Sequence, residues 1–238
     1  MNDGFAAFRA LSLDCYGTLI DWETGIAATL KPWVERHGLM MSRDDLLAAF
    51  SDNETAVQTE QPTARYPELL AEVMRRVGDH FRAEVTADEA AAFGESVGDW
   101  PPFEDAHDAL TRLGKRFSLI ILSNVDRTSF ARSNRKLGVE FDRIITAEDV
   151  GSYKPSPRNF EVLISEVRSL DVAPEQLLHV AQSLYHDHEP AKRFGLSTVW
   201  IHRRHTVEGF GATPPPAGTV QPDWTFPSLA AFADAAGV

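Results

Sequence analysis

Asp14 closes the apolar run Leu11-Ser12-Leu13, and Gly17 and Thr18 follow within the stretch DCYGT. Read alone, an acid where a buried strand gives out is a turn former. It reads differently beside the ends of the other apolar runs. LIILSN delivers Ser123 and Asn124, RIITAEDVG leads to Lys154, and LLHVAQS delivers Gln182 and Ser183 with Asp187 close behind. A nucleophile, small hydroxyl and amide donors, a lysine and a second acid would converge on one crevice. A carboxylate is a modest nucleophile that can form a covalent intermediate, and a nearby ammonium keeps it ionised in a dry site.

These residues meet only if the runs that carry them lie side by side. FRALSLD, FSLIILSN, RIITAEDVG, LLHVAQS and STVWIHR read as strands, each nearly continuous in apolar residues. Helical patterns alternate with them in EDAHDALTRLGKR, TSFARSNRKLG, SPRNFEVLISEVRSL and EPAKRFG. That alternation predicts an α/β fold, a Rossmann-like parallel sheet with helices on both faces. Ligands of such sheets sit at the carboxyl ends of the strands. Between the first strand and the rest, from about Glu23 to Val97, the pattern is helical throughout. Ser42 and Thr86 stand as N-caps of two of its helices, and Pro67 falls in the first turn of a third. An all-helical block inserted there covers the strand ends as a cap. The expected organisation is a core of residues 1–20 and 98–238 with a cap domain at 21–97. EGFGATPPPAGTVQP reads as a loop without regular structure.

The sequence resembles the haloacid dehalogenase (HAD) superfamily of hydrolases. DCYGT at Asp14 to Thr18, LSN at Leu122 to Asn124, YKPSP at Tyr153 to Pro157 and HVAQSLYHDHEPAKRFG at His179 to Gly195 carry the likeness, in order and at matching spacing. The resemblance implies that Asp14 is the nucleophile of a covalent aspartyl intermediate, with Lys154 stabilising it. Phosphatases of this superfamily usually carry a second Asp two residues after the nucleophile, to protonate the leaving alcohol. This chain has Tyr16 there, and a phenol with an ordinary pKa near 10 is poorly suited to that role. The pattern is similar to the type II 2-haloacid dehalogenase branch, where a halide leaves without a proton. Metal-dependent members usually place an Asp before the serine of the fourth motif, where this chain has Gln182. An amide oxygen is a poorer Mg²⁺ ligand than a carboxylate.

The implied function is hydrolytic dehalogenation of a small 2-haloalkanoic acid through an aspartyl ester, without a cofactor. Asp14, Lys154, Asp187 and Ser183 are its expected catalytic groups. Tyr16, Thr18, Ser123 and Asn124 are its expected substrate contacts, with Tyr16 a pocket wall. The alternative is an Mg²⁺-dependent phosphatase acting on a small phosphate ester, with Asp14 and Asp187 as metal ligands. Dehalogenases of this branch usually have an early cap arginine that binds substrate. Arg43 lies in a first helical turn and is expected in solvent, whereas Arg65 precedes YPELL and is expected to turn inward as a substrate-binding residue. Phe160 stands where these enzymes often have a tyrosine. His186 and His188 flank Asp187 but lack a third ligand, so they read as rim or capping residues. Cys15 points away from Asp14 by strand alternation, and Trp22 and Trp33 either line the pocket or pack the cap.

Composition narrows the partners. The chain has 238 residues, 43% of them hydrophobic, enough for one substantial core with an appendage. With 23 basic and 35 acidic residues the net charge is -12, which argues against non-specific nucleic-acid binding. A small anionic substrate stays compatible through a local basic pocket. One cysteine excludes an internal disulfide framework and fits a reducing cytoplasm, and no apolar run is long enough to span a bilayer. The expected protein is cytoplasmic, with a small molecule as its partner and a homodimer as an open alternative to the monomer.

Overall fold

The computed structural model describes residues 4–238. Its sheet has six strands, all parallel, in the order β3-β2-β1-β4-β5-β6. The strands are β1 (Ala10–Leu13), β2 (Ser118–Ser123), β3 (Arg143–Thr146), β4 (Leu177–Ala181), β5 (Ser197–Ile201) and β6 (Trp224–Phe226). β1 and β4 are buried at every residue, as expected where helices cover both faces. Ala10 pairs with Ser118 on one side and Leu177 on the other, so the strand that ends at Asp14 is held by two ladders. Strand order reverses between β1 and β4, and a crevice for ligands opens outside such a switch point.

After β1 come four helices that precede the return to the core: α1 (Trp22–Arg36), α2 (Arg43–Glu60), α3 (Tyr66–Phe81) and α4 (Ala87–Glu95). They form the all-helical cap. Ser42 and Thr86 cap α2 and α4 with reciprocal hydrogen bonds to Asp45 and Glu89. α3 buries Tyr66, Leu69, Leu70, Val73, Met74 and Val77, the three-four spacing of one apolar face. Gly94 lets α4 approach α3 closely, since a Cβ there would lie 2.3 Å from the Pro67 carbonyl oxygen. α2 continues ten residues beyond the apolar stretch that suggested it, through SDNETAVQTE.

The remaining helices are α5 (Ala106–Leu113), α6 (Arg127–Leu137), α7 (Ala147–Val150), α8 (Pro157–Ser169), α9 (Glu189–Arg193) and α10 (Leu229–Ala235). The strand expected over RIITAEDVG stops at Thr146. Thr146 and Asp149 cap each other there and start α7, a single turn closed by Gly151 at φ 74°. β6 and α10 were not anticipated. β6 has three residues, too few for a periodic pattern, and it follows the Gly/Pro loop. That loop has no regular structure, as expected, but it is anchored. Ala212 N donates to Glu23 of α1 at 3.1 Å, and Arg204, four residues before the loop, donates to Glu23 at 2.6 Å and to Asp44 of α2 at 3.1 Å.

Candidate active site

Asp14 is buried, and both its carboxylate oxygens are engaged. Lys154 Nζ donates to Oδ1 at 2.9 Å and Thr18 Oγ1 donates to Oδ2 at 2.7 Å. Gly17 makes the turn between these residues possible, with φ 91° and Trp22 and Gln182 close against it. Lys154 Nζ also donates to Leu122 O at 2.8 Å and to Asp187 Oδ1 at 2.6 Å. The lysine reaches these partners because Asn124 holds its backbone: Lys154 N donates to Asn124 Oδ1 at 2.7 Å, and Asn124 Nδ2 donates to Lys154 O at 3.0 Å.

After β4 the chain makes a wide turn, with His188 N donating to Ser183 O five residues back. Such turns are frequent at functional sites. This one brings Asp187 onto Lys154. Ser183 Oγ accepts from His186 N at 2.9 Å and so holds the turn. His179 inside β4 hydrogen-bonds Asp187 Oδ1 at 3.1 Å and Ser12 at 2.8 Å. Its role was not apparent in the sequence, because a lone histidine in an apolar strand looks like packing.

Charges in this network constrain one another. Burial alone would strip the proton from Lys154, but Asp14 and Asp187 hold it and push its pKa above the ordinary value. Burial also disfavours the Asp187 anion, yet Lys154 and His179 together hold its carboxyl well below the usual range. Asp14 is left above the usual carboxylate range, first through burial, with Lys154 pulling down and Asp187 pushing up. The triad therefore reads as ionised Asp187 and protonated Lys154 beside the more easily protonated Asp14.

A cavity of about 30 Å³ opens onto Asp14. It is lined by Tyr16, Ser123, Asn124, Lys154, Ser183 and Asp187 among the expected residues. Ser123 Oγ finds no hydrogen-bond partner among the described residues. Tyr16 is a wall: its ring stands edge-on to Trp100 at 5.8 Å, and its hydroxyl bonds Ser133 at 3.0 Å. Thr18 is set behind the wall, fully buried against Asp14 and the Gln182 backbone N–H. Trp22 lines the cavity, whereas Trp33 packs in the cap with its indole N–H on Glu84 O at 3.0 Å. Cys15 is buried and takes no part in the lining. His186 does line it, with burial pushing its pKa down to about 4, while His188 bonds Ala181 O at 2.9 Å.

Arg65 does not turn inward. It is the N-cap residue of α3, its side chain is 53% exposed, and its guanidinium lies 3.9 Å from Asp126, which caps α6. Arg43 reaches Thr24 Oγ1 at 3.2 Å on the exposed side. The cap instead presents Glu54, Gln58 and Tyr66, and the loop after β5 adds Thr213. Glu54 and Gln58 were missed in the sequence. The signal was there: they continue the buried spacing of Leu47, Phe50 and Val57, and a charged residue in register with a core face is out of place.

Among the described residues no group of three or more His, Cys, Asp or Glu side chains is placed to hold a metal ion. The Lys154 ammonium bonds both carboxylates that would have shared one. The Gln182 side-chain oxygen accepts from Thr213 at 3.0 Å. This donor set fits an internal cation, not Mg²⁺, which is held through carboxylate and other oxygens in near-octahedral geometry.

The sequence matches the haloacid dehalogenase-like hydrolases over residues 8–195. The chain belongs to that family. The HAD chain is 28% identical to (S)-2-haloacid dehalogenase 2 of Pseudomonas sp. (strain CBS-3) over 153 residues, 63% of this chain and 65% of that one. The matched stretch is thus just under two thirds of that relative's length. Its structure is similar to L-2-haloacid dehalogenase of Xanthobacter autotrophicus, with a TM-score of 0.77 at 20% identity over 95% of this chain and 97% of that one. A magnesium-bound HAD hydrolase of Bacillus subtilis gives a TM-score of 0.76 at 17% identity over 97% and 99%. Likeness of that order shows the fold and does not separate the two chemistries.

Proposed function

We propose that this HAD hydrolase cleaves the carbon–halogen bond of a small 2-haloalkanoic acid through an aspartyl ester, without a metal. Asp14 attacks the carbon bearing the halogen, the new C–O bond forms, and the halide leaves with the electron pair of the broken bond. Water then attacks the carboxyl carbon of the ester, freeing the 2-hydroxy acid and a proton and returning Asp14 to its carboxylate. Lys154 orients Asp14 and compensates its charge. Asp187 keeps Lys154 protonated, and with Ser183 it positions the water. Ser123, Asn124 and nearby backbone donors hold the substrate carboxylate, Thr18 fixes Asp14 Oδ2, and Tyr16 closes the wall.

The observation that carries the reading is the pair of replacements around a preserved nucleophile. Asp14 and Lys154 are in bonding contact, while Tyr16 and Gln182 stand where a leaving-group acid and a metal ligand are usual. The chloropropionic acid covalently bound in a structure of the Xanthobacter enzyme is chemistry of that protein, and it supports the same step here. The cap boundaries at 21–97 belong to this proposal. They are supported by Ile20 and Pro102, which bridge where the chain leaves and re-enters the core. We also place the protein in the cytoplasm, in keeping with its single buried cysteine; among the described residues no helix is long and apolar enough to cross a membrane.

Halide and phosphate release from a mixed panel of 2-haloacids and small phosphate esters, with and without EDTA, tests the function. Halide release that survives EDTA is expected. Phosphate release that requires Mg²⁺ would replace this reading with the phosphatase.

A further inference from the structure

Glu54 and Gln58 lie one turn apart on α2, 2% and 8% exposed, and both line the cavity that holds Asp14. The displacement described above uses neither. An acid buried among Leu47, Phe50 and Val57 is costly unless something offsets it. Tyr66 Oη donates to Glu54 Oε1 at 2.6 Å, which engages one of the two carboxyl oxygens and fixes the group on the wall.

The charge of the cavity points to its use. The ionisable groups on the wall are Asp14, Asp187, Glu54, Lys154, His186 and the phenols of Tyr16 and Tyr66. Lys154 spends its three donors on Asp14, Asp187 and Leu122 O. Burial keeps His186 neutral, and Arg65 is outside. No cation is free to face a substrate on the cap side, where an acid and an amide stand instead of the guanidinium that a plain carboxylate would seek.

We propose that Glu54, with Gln58, recognises a hydrogen-bond donor on the substrate, so that the preferred 2-haloacid bears a hydroxyl or ammonium group at C3, not a plain alkyl chain. This rests on the dehalogenase reading. The substrate carboxylate lies on the core side, where Ser123 Oγ is free, and the C3 substituent meets α2. An ammonium there offsets the excess negative charge of the wall, and a hydroxyl satisfies Glu54 without changing charge.

The test titrates Asp14→Asn protein calorimetrically with 2-chloropropionate, 2-chloro-3-hydroxypropionate and 3-amino-2-chloropropionate, and in parallel measures halide release by the wild type. The hydroxy and amino compounds are expected to bind at least tenfold tighter than 2-chloropropionate. Glu54→Leu in the same background should bring all three within twofold. Glu54→Gln, nearly isosteric and able to accept from a hydroxyl, should keep the hydroxyl preference and lose the ammonium preference. Equal binding of the three, tighter binding of 2-chloropropionate, or no binding of any overturns the proposal. A binding preference without halide release would retain the recognition and remove the dehalogenase reading; halide release without a preference would do the reverse.

Discussion

The strand ends and the α2 face of the cap meet in one cavity, yet they manage buried polar groups in opposite ways. At the strand ends every charge has a partner from another element: Asp14 after β1, Lys154 after α7, and Asp187 after β4 with His179 beneath it. On α2 the acid has one neutral partner, Tyr66, and burial pushes its pKa up to about 7. The first arrangement fixes charge for chemistry. The second leaves an acid whose charge depends on pH and on what lies against it. On the proposed reading, reactivity and selection are thus housed in regions with different electrostatic rules.

The comparison breaks at Asp14 if it is wrong. Asp14→Asn should abolish turnover while the protein still folds, because the swap is nearly isosteric at the end of a doubly paired strand. In single-turnover hydrolysis in ¹⁸O-water the label should enter Asp14 first; label found directly in product during the first turnover contradicts the ester. Because Asp14 is held above the usual range, the acid limb of kcat/KM should lie above pH 3.8, the ordinary Asp value.

Lys154→Met probes the network as a whole. Removing one partner of a buried ion pair typically costs about 3–5 kcal/mol, and here two carboxylates lose their cation together. Urea denaturation at pH 7 should show a loss of that order alongside lost activity. A stability change below about 1 kcal/mol would mean that the charges are less buried than the geometry implies.

Glu54→Gln should behave in the opposite sense. A carboxyl whose folded pKa, about 7, exceeds its unfolded value of 4.5 binds more protons in the native state. Stability therefore falls as pH rises from 4.5 through 7, by up to about 3 kcal/mol for this group. The glutamine variant should match wild type at pH 4.5 and be the more stable protein at pH 8. Equal pH dependence in the two proteins would remove the distinction drawn between the regions.

Arg65→Ala carries the smallest effect. A half-exposed arginine 3.9 Å from its carboxylate contributes little, so kcat/KM on the best 2-haloacid should stay within about twofold of wild type. A loss of about tenfold or more would show that the arginine swings into the cavity during turnover and would restore it to the substrate-binding set.

The core half of this picture was legible in the chain because its chemistry sits where secondary structure changes. Asp14 and Ser183 follow apolar strands, Ser123 ends one, and Lys154 follows the third strand and the short helix α7, so one rule about parallel sheets brings them to one edge. The cap half was not. Glu54 and Gln58 are mid-helix, where polarity is ordinary, and only the tertiary packing of α2 reveals that their face is inside. Arg65 misled for the converse reason: its type suited a carboxylate, but its place as N-cap of α3 directs it to Asp126. Thr213 was hidden by the loop around it, whose Gly/Pro content predicts irregular backbone and says nothing of where that backbone goes.

Arg204 gives the cap two unlike edges. A cavity of about 30 Å³ has room for only a couple of waters, so the proposed substrate would enter more easily with the cap displaced. Along the loop after β5, that motion would have to part Arg204 from Glu23, an ion pair whose side chains are only 12% and 14% exposed. Near the start of α3 it meets a hydrogen bond from Tyr153 Oη to Ala64 O at 2.7 Å and the loose contact of Arg65. Both edges are therefore held, the Arg204 side by an ion pair and the Tyr153 side by a neutral hydrogen bond. On the proposed reading, release of product past α3 would then be governed by contacts that touch neither halide nor nucleophile.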